Sequence, residues 1–167
     1  MTRVLGIDPG LQITGYGVVE LTPGAIEPRL LEGGVIRLPA GRSVADRLVK
    51  LHEDLTEVIA EHAPTRVAVE KVYSHYAHPR TAVLMAHARG VILLAAKLAG
   101  LEVVDLPSTE VKKSITGYGH ASKQQMQFAV QAQCGLAEPP SPPDVADAIA
   151  IALCEARRSV DPAGRVA

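Results

Sequence analysis

The sequence predicts one α/β domain: a mixed five-stranded sheet, three antiparallel strands followed by parallel ones, with helices on both faces. Three observations predict it. Three short apolar segments come first, joined by short turns. The hydrophobic period then lengthens to three or four. From there, short apolar runs alternate with helical patterns. The 167 residues, 47% hydrophobic and 21% charged, supply one core and exclude a disordered chain, a collagen repeat and a small disulfide scaffold.

Val4-Leu5-Gly6-Ile7 is a continuous apolar run closed by Asp8-Pro9-Gly10, the pattern of a strand buried on both faces. Thr14–Leu21 reads as the second strand, closed by Pro23-Gly24, and Leu30–Leu38 as the third, with Gly33-Gly34 marking a bulge. Val44, Leu48, Leu51, Leu55, Val58 and Ile59 then share one helical face, with Ser43 as N-cap and Pro64 as terminator. Arg66–Glu70 is a fourth strand, Thr81–Ala99 a second helix and Glu102–Leu106 a fifth strand. Ser108–Ile115, Ser122–Gln133 and Pro143–Arg158 read as three more helices, with Ser122 and Gln125 forming a capping box. Residues 1–158 are expected to form a single domain and 159–167 a short flexible tail. A strand-helix-strand crossover makes neighbouring strands parallel and right-handed, and an antiparallel three-strand start followed by such crossovers gives the mixed sheet.

The net charge of -1 carries no global signal for nucleic acid, but the charge is unevenly spread. Residues 71–137 hold seven Lys or Arg against three acids, and no acid lies between Lys71 and Leu101. Such a chain can present one electropositive face to a polyanion. Cys134 and Cys154 lack a CxxC partner and read as buried thiols of a reducing cytosol. The N-terminus has no signal-peptide layout. After residue 80 the longest apolar run, Gly90–Ala96, is far short of the ~20 residues of a membrane span. A cytoplasmic protein without a membrane is expected.

Asp8 ends the first strand and Glu70 the fourth. If these strands are parallel neighbours, both carboxylates emerge at the edge where α/β sheets bind ligands. Asp144 and Asp147 share one face of the last helix. If that helix packs its first turn over the same edge, four carboxylates converge. They then raise one another's pKa unless a cation intervenes. An all-oxygen set suits Mg²⁺ or Mn²⁺, and two such ions ~3.5–4 Å apart serve phosphodiester hydrolysis. Each acid also has a plainer role: Asp8 in a turn, Glu70 as a solvated strand end, Asp144 in a Ser141-Pro-Pro-Asp144 cap, Asp147 in a helix first turn. Asp105 reads as local to the helix start at Pro107-Ser108.

Gly6-Ile7-Asp8-Pro9-Gly10 followed by Thr14-Gly15-Tyr16-Gly17 resembles the first-strand signature of the RuvC family of Holliday junction resolvases. Val69-Glu70-Lys71-Val72-Tyr73, Ala88-Arg89-Gly90, Val111-Lys112 and Asp144-Val-Ala-Asp147 continue the likeness in order, over roughly residues 3–155. The resemblance implies a ribonuclease H-like fold, a homodimer, metal-dependent nicking of four-way DNA junctions, and association with a RuvA–RuvB branch-migration complex. It places Asp8, Glu70, Asp144 and Asp147 as catalytic metal ligands. Lys112 and Lys123 fall where the family holds DNA, and Tyr73 at an aromatic position that stacks on unpaired bases. With the basic segment, this makes Tyr73, Arg80, Arg89, Lys112, Lys113 and Lys123 the candidate DNA contacts. His87 stands where the family has Gln, and Ser74–Pro79 lacks an expected Asn. Either Tyr73 or Tyr76 is then the junction wedge. His75 and His78 read as a solvated DNA-facing loop ahead of a transition-metal pair.

The expected reaction is in-line attack of water, with Glu70 or a hydroxide on the metal as base, leaving a 5′ phosphate and a 3′ hydroxyl. Thr81–Ala99 is apolar nearly all round, and Ala82, Ala86 and Gly90 form a small-residue ridge suited to close approach of a second copy. Two other functions compete: a non-catalytic junction-binding module, and a sugar-kinase- or actin-like nucleotide-binding lobe. The second needs another lobe and another phosphate loop, which this chain lacks.

Overall fold

A computed structural model describes residues 1–71 and 79–160. Its strands are β1 (Thr2–Asp8), β2 (Ile13–Leu21), β3 (Arg29–Arg37), β4 (Arg66–Glu70) and β5 (Glu102–Leu106). The helices are α1 (Val44–His62), α2 (Pro79–Leu98), α3 (Ser108–Thr116), α4 (Lys123–Cys134) and α5 (Pro143–Val160). The sheet order is β3-β2-β1-β4-β5. β1–β2 and β2–β3 are antiparallel, while β1–β4 and β4–β5 are parallel. This is the expected mixed sheet. α5 runs two helical residues past the expected end at Arg158.

Strand alternation sorts the core into two layers. Leu5 and Ile7 of β1, Val18 of β2, and Val67 and Val69 of β4 pack under α1 and α2, with Leu51, Leu55, Ala88 and Ile92. Val4, Val19 and Ala68 face the other way, against Ile149, Ala150 and Leu153 of α5, with α3 and α4 outside them. The local signals hold where chemistry demands them. The Ser43 hydroxyl accepts the Asp46 amide at 3.1 Å and starts α1. Ala63, in the left-handed region at φ 43°, ends it just before Pro64. Ser122 and Gln125 form the reciprocal cap of α4.

The expected bulge lies elsewhere. The β2–β3 register runs Val18↔Glu32 and then Val19↔Leu30, so Leu31 is the extra residue, while Gly33 and Gly34 pair regularly with Gly17 and Tyr16. Those two glycines answer to packing. A Cβ on Gly33 meets Ile149 Cδ1 at 2.8 Å, and one on Gly34 meets the Tyr16 hydroxyl at 2.7 Å.

The same reasoning explains how α5 sits so close to the sheet. A Cβ on Gly6 would lie 2.4 Å from the Ala148 carbonyl oxygen and 2.5 Å from the Ala152 nitrogen. One on Gly15 would lie 2.1 Å from the Asp144 carbonyl oxygen. Gly6 faces Gly17 across β1–β2, and Asp8 faces Gly15. The two strands thus carry a groove without side chains, and the alanine-rich helix beds into it backbone to backbone. That seat brings the first turns of α5 over the C-terminal end of β1.

Asp105 is not part of the α3 start. It pairs with Arg89 of α2, and the α3 cap position, Pro107, makes no side-chain hydrogen bond. On α2, Ala88, Ile92, Ala95 and Ala96 are buried, whereas Val83, Leu94 and Leu98 are exposed. Burial on more than one side therefore does not occur within a single chain. By length and composition Arg80–Leu98 is long and apolar enough to cross a membrane. A search for uninterrupted apolar runs misses this because His87, Arg89 and Lys97 break the run.

Candidate active site

The offset that pairs Ile7 with Val69 in the parallel β1–β4 ladder carries on to Asp8 and Glu70. Asp8 has the parity of Val4, and Glu70 that of Ala68, so both side chains belong to the α5 face. α5 brings Asp147 from above. Asp8, Glu70 and Asp147 line one cleft of about 330 Å³, together with Ser108, Lys71, Lys112 and Lys123. Pro9, Met85 and Met126 supply its apolar wall.

Asp144 stands at the rim, outside the cleft lining but within electrostatic reach of Asp8 and Asp147. It is the second residue of α5, and the helix first turn leaves it partly buried. The sequence thus brought three acids into the cleft and the fourth to its edge.

The electrostatics are those of crowded anions. Burial, and then the charges of Glu70, Asp147 and Asp144, push the Asp8 carboxyl well above the usual aspartate range, against the pull of Lys123. Burial and Asp147 raise Glu70, while the Ser108 hydroxyl, which donates to it, and Lys112 and Lys123 draw it down. Burial raises Asp147, with Asp144 adding to it and Lys123 and Lys112 opposing. Lysines therefore do not neutralise the cluster. Partly buried carboxylate oxygens that remain raised beside ammonium groups are the donor set a hard divalent cation fits.

The expected DNA contacts fall into groups. Lys112 of α3 and Lys123 of α4 line the cleft. Lys113 is exposed on α3, and Arg80 is exposed on the first turn of α2. Arg89 is tied to Asp105. Tyr73, Tyr76, His75 and His78 lie outside the described residues. Ser108 is the site residue that sequence reasoning passed over as a mere helix start. The signal was nonlocal: Glu70 pairs in register with Leu106, two residues before it.

Residues 4–155 match the family model described as crossover junction endodeoxyribonuclease RuvC. The chain belongs to the RuvC family. Among named relatives, the crossover junction endodeoxyribonuclease RuvC of Rhodopirellula baltica is 50% identical over 153 residues, covering 90% of this chain and 84% of that one. The RuvC of Heliobacterium modesticaldum is 45% identical over 151 residues, covering 90% and 91%. Thermus thermophilus RuvC, solved in complex with Holliday junction substrate, superposes with a TM-score of 0.86 at 36% identity, covering 95% of this chain and 97% of that one. The yeast mitochondrial resolvase Ydc2, at 15% identity and a TM-score of 0.67, shares the fold. The sheet and helices described above are thus the ribonuclease H-like architecture of RuvC proteins, a family of metal-dependent nucleases.

Proposed function

We propose that this RuvC-family chain is a structure-selective endonuclease that resolves four-way DNA junctions by paired, metal-dependent nicks. The observation that carries this reading is the meeting of Asp8, Glu70 and Asp147, with Asp144 at the rim, in a cleft also lined by Lys112 and Lys123. The Thermus relative solved with a Holliday junction supports the substrate class.

Asp8, Glu70, Asp144 and Asp147 would hold Mg²⁺ or Mn²⁺, two ions per site. Bound there, the ions supply Lewis acidity at the scissile phosphate and charge neutralisation at the leaving oxygen. The chain's own residues do the rest. Ser108 fixes the Glu70 carboxylate, which would take the proton of the attacking water. Lys112 and Lys123 hold the phosphodiester against the acids, so the anionic substrate enters an otherwise repulsive cleft. The products are a 5′ phosphate and a 3′ hydroxyl.

A homodimer fits the same reading, because two symmetric nicks need two sites related by a two-fold axis. The outward apolar side chains of α2, Val83, Leu94 and Leu98, together with Gly90, offer the surface for it. A single domain over residues 1–158, a cytoplasmic location and association with RuvA–RuvB belong to this proposal too. Arg80, Arg89, Lys113 and Tyr73 complete its DNA-binding set.

Incubation with a four-way junction and with a linear duplex tests it. Symmetric cuts confined to the junction are expected with Mg²⁺ or Mn²⁺ and none with EDTA. Equal cutting of both substrates, or cutting in EDTA, overturns it. The Lys112→Ala/Lys123→Ala protein is expected to bind junctions more weakly. Its slope of log binding constant against log salt should be shallower by about 1–2, as each phosphate contact contributes about 0.9. An unchanged slope removes these lysines from the DNA path.

A further inference from the structure

We propose that Glu32, Glu61 and His62 form a second cation site, one for a transition-type divalent ion such as Zn²⁺, at the C-terminal end of α1. Their ligand atoms lie within 4.8 Å of one another. The site is far from the catalytic cleft. The chain leaving α1 donates from Thr65 N to Arg3 O at the start of β1, and Arg3 in turn donates to the His62 carbonyl. Glu32 pairs with Val18, whose side chain packs in the α1 and α2 layer, so the site lies on the face of the sheet opposite to Asp8 and α5.

Four features point to a metal ion. First, His62 Nε2 is buried yet has no hydrogen-bond partner, although Glu32 Oε2 is only 3.3 Å away. Second, that spacing suits a shared ion. Two ligands about 2.0–2.1 Å from a tetrahedral Zn²⁺ lie about 3.3–3.4 Å apart. Glu61 is exposed, so its side chain is free to swing in as the third ligand.

Third, the Glu32 carboxylate is already held. The Tyr16 hydroxyl donates to its Oε1 at 2.6 Å, leaving Oε2 turned to the imidazole. A ligand carboxylate fixed by an outer hydrogen bond is the usual support of a metal site. Fourth, the site caps the C-terminal end of a 19-residue helix, where the backbone dipole favours a cation. Imidazole with two carboxylates selects Zn²⁺ over Mg²⁺, in contrast to the all-oxygen catalytic set. The bound ion would pin the end of α1 to β3.

The test uses the full-length chain carrying Asp8→Asn and Glu70→Gln, so that its outcome does not depend on the catalytic reading. Stripped protein is titrated with Zn²⁺ against a chromogenic chelator. One equivalent is expected to bind. Glu61→Gln and His62→Gln should each weaken it at least tenfold, and Tyr16→Phe about tenfold through the carboxylate it holds. Glu61 is exposed, so its variant is expected to keep the parent's melting temperature in EDTA. Co²⁺ substitution gives a second readout, a visible absorption band that His62→Gln alters. Zn²⁺ binding of unchanged affinity in the Glu61→Gln and His62→Gln proteins, or no Zn²⁺ binding by the parent, overturns the proposal.

Discussion

Glu70→Gln is expected to leave a folded protein that binds four-way junctions as well as the wild type and cuts them at least about 10³-fold more slowly. The amide keeps the shape of the side chain but neither ligates a hard cation well nor takes a proton. The companion change, Asp8→Asn, abolishes cutting equally and separates chemistry from stability. In the folded protein Asp8 is raised above the ordinary aspartate value by burial and by three neighbouring acids. A carboxyl raised on folding binds its proton more tightly in the native state. Its stabilising contribution is therefore present at low pH and is lost as the pH rises through the elevated value. At neutral pH without metal, the wild type carries the cost of those crowded charges and Asp8→Asn does not. Asp8→Asn should thus melt at a higher temperature than the wild type in EDTA, with the gap closing as the pH falls toward the ordinary aspartate range. Added Mg²⁺ should raise the melting temperature of the wild type and do little for the variant. An Asp8→Asn protein less stable than the wild type in EDTA, or a Glu70→Gln protein that cuts normally, ends the assignment of these acids.

Much of this arrangement was legible from residue order. β4 and β5 are bounded as the apolar runs predict, and they are the parallel neighbours that a crossover through α2 implies. The β1–β4 pairing that joins Asp8 to Glu70 was only a condition at the level of residue order, because the strand that precedes β4 in the chain, β3, lies at the far edge of the sheet. What the chain did not disclose was set by partners distant in sequence. A glycine in a strand gives one local signal whether it marks a bulge or a close approach. Gly33 and Gly34 therefore read as a bulge, though Leu31 makes it, and Gly6, Gly15 and Gly17 showed no sign of being a helix seat. Ser108 reads as a helix start because its partner, Glu70, is fixed only by the β4–β5 register. The period of α2 shows an apolar helix but not which side the sheet covers, so the exposure of Val83, Leu94 and Leu98 emerged only from the packing. Glu32 and His62 are thirty residues apart, and neither stands out among the charged residues around it.

The glycine seat makes the second large prediction. Gly6→Ala is expected to destabilise the protein by about 3 kcal/mol or more and to reduce junction cutting by at least about 10²-fold in whatever fraction remains folded. Overpacked cores usually relieve themselves by moving a side chain, but that route is closed here. The new methyl group would meet the Ala148 carbonyl oxygen at 2.4 Å and the Ala152 nitrogen at 2.5 Å, both backbone atoms of α5. Relief requires the whole helix to lift from β1, and α5 carries Asp144 and Asp147. A shift of about 1 Å at such a site is enough for a hundredfold loss of rate. Two comparisons isolate this cause. Gly41→Ala, where the added Cβ has nothing within 4 Å, should change stability by less than about 0.5 kcal/mol. Ala152→Gly added to Gly6→Ala should restore nothing, since the colliding atoms are backbone and remain. Urea midpoints and nicking rates measured on the four proteins decide it. Wild-type stability and cutting in Gly6→Ala, or rescue by Ala152→Gly, would mean that α5 does not owe its closeness to the sheet to the missing side chain.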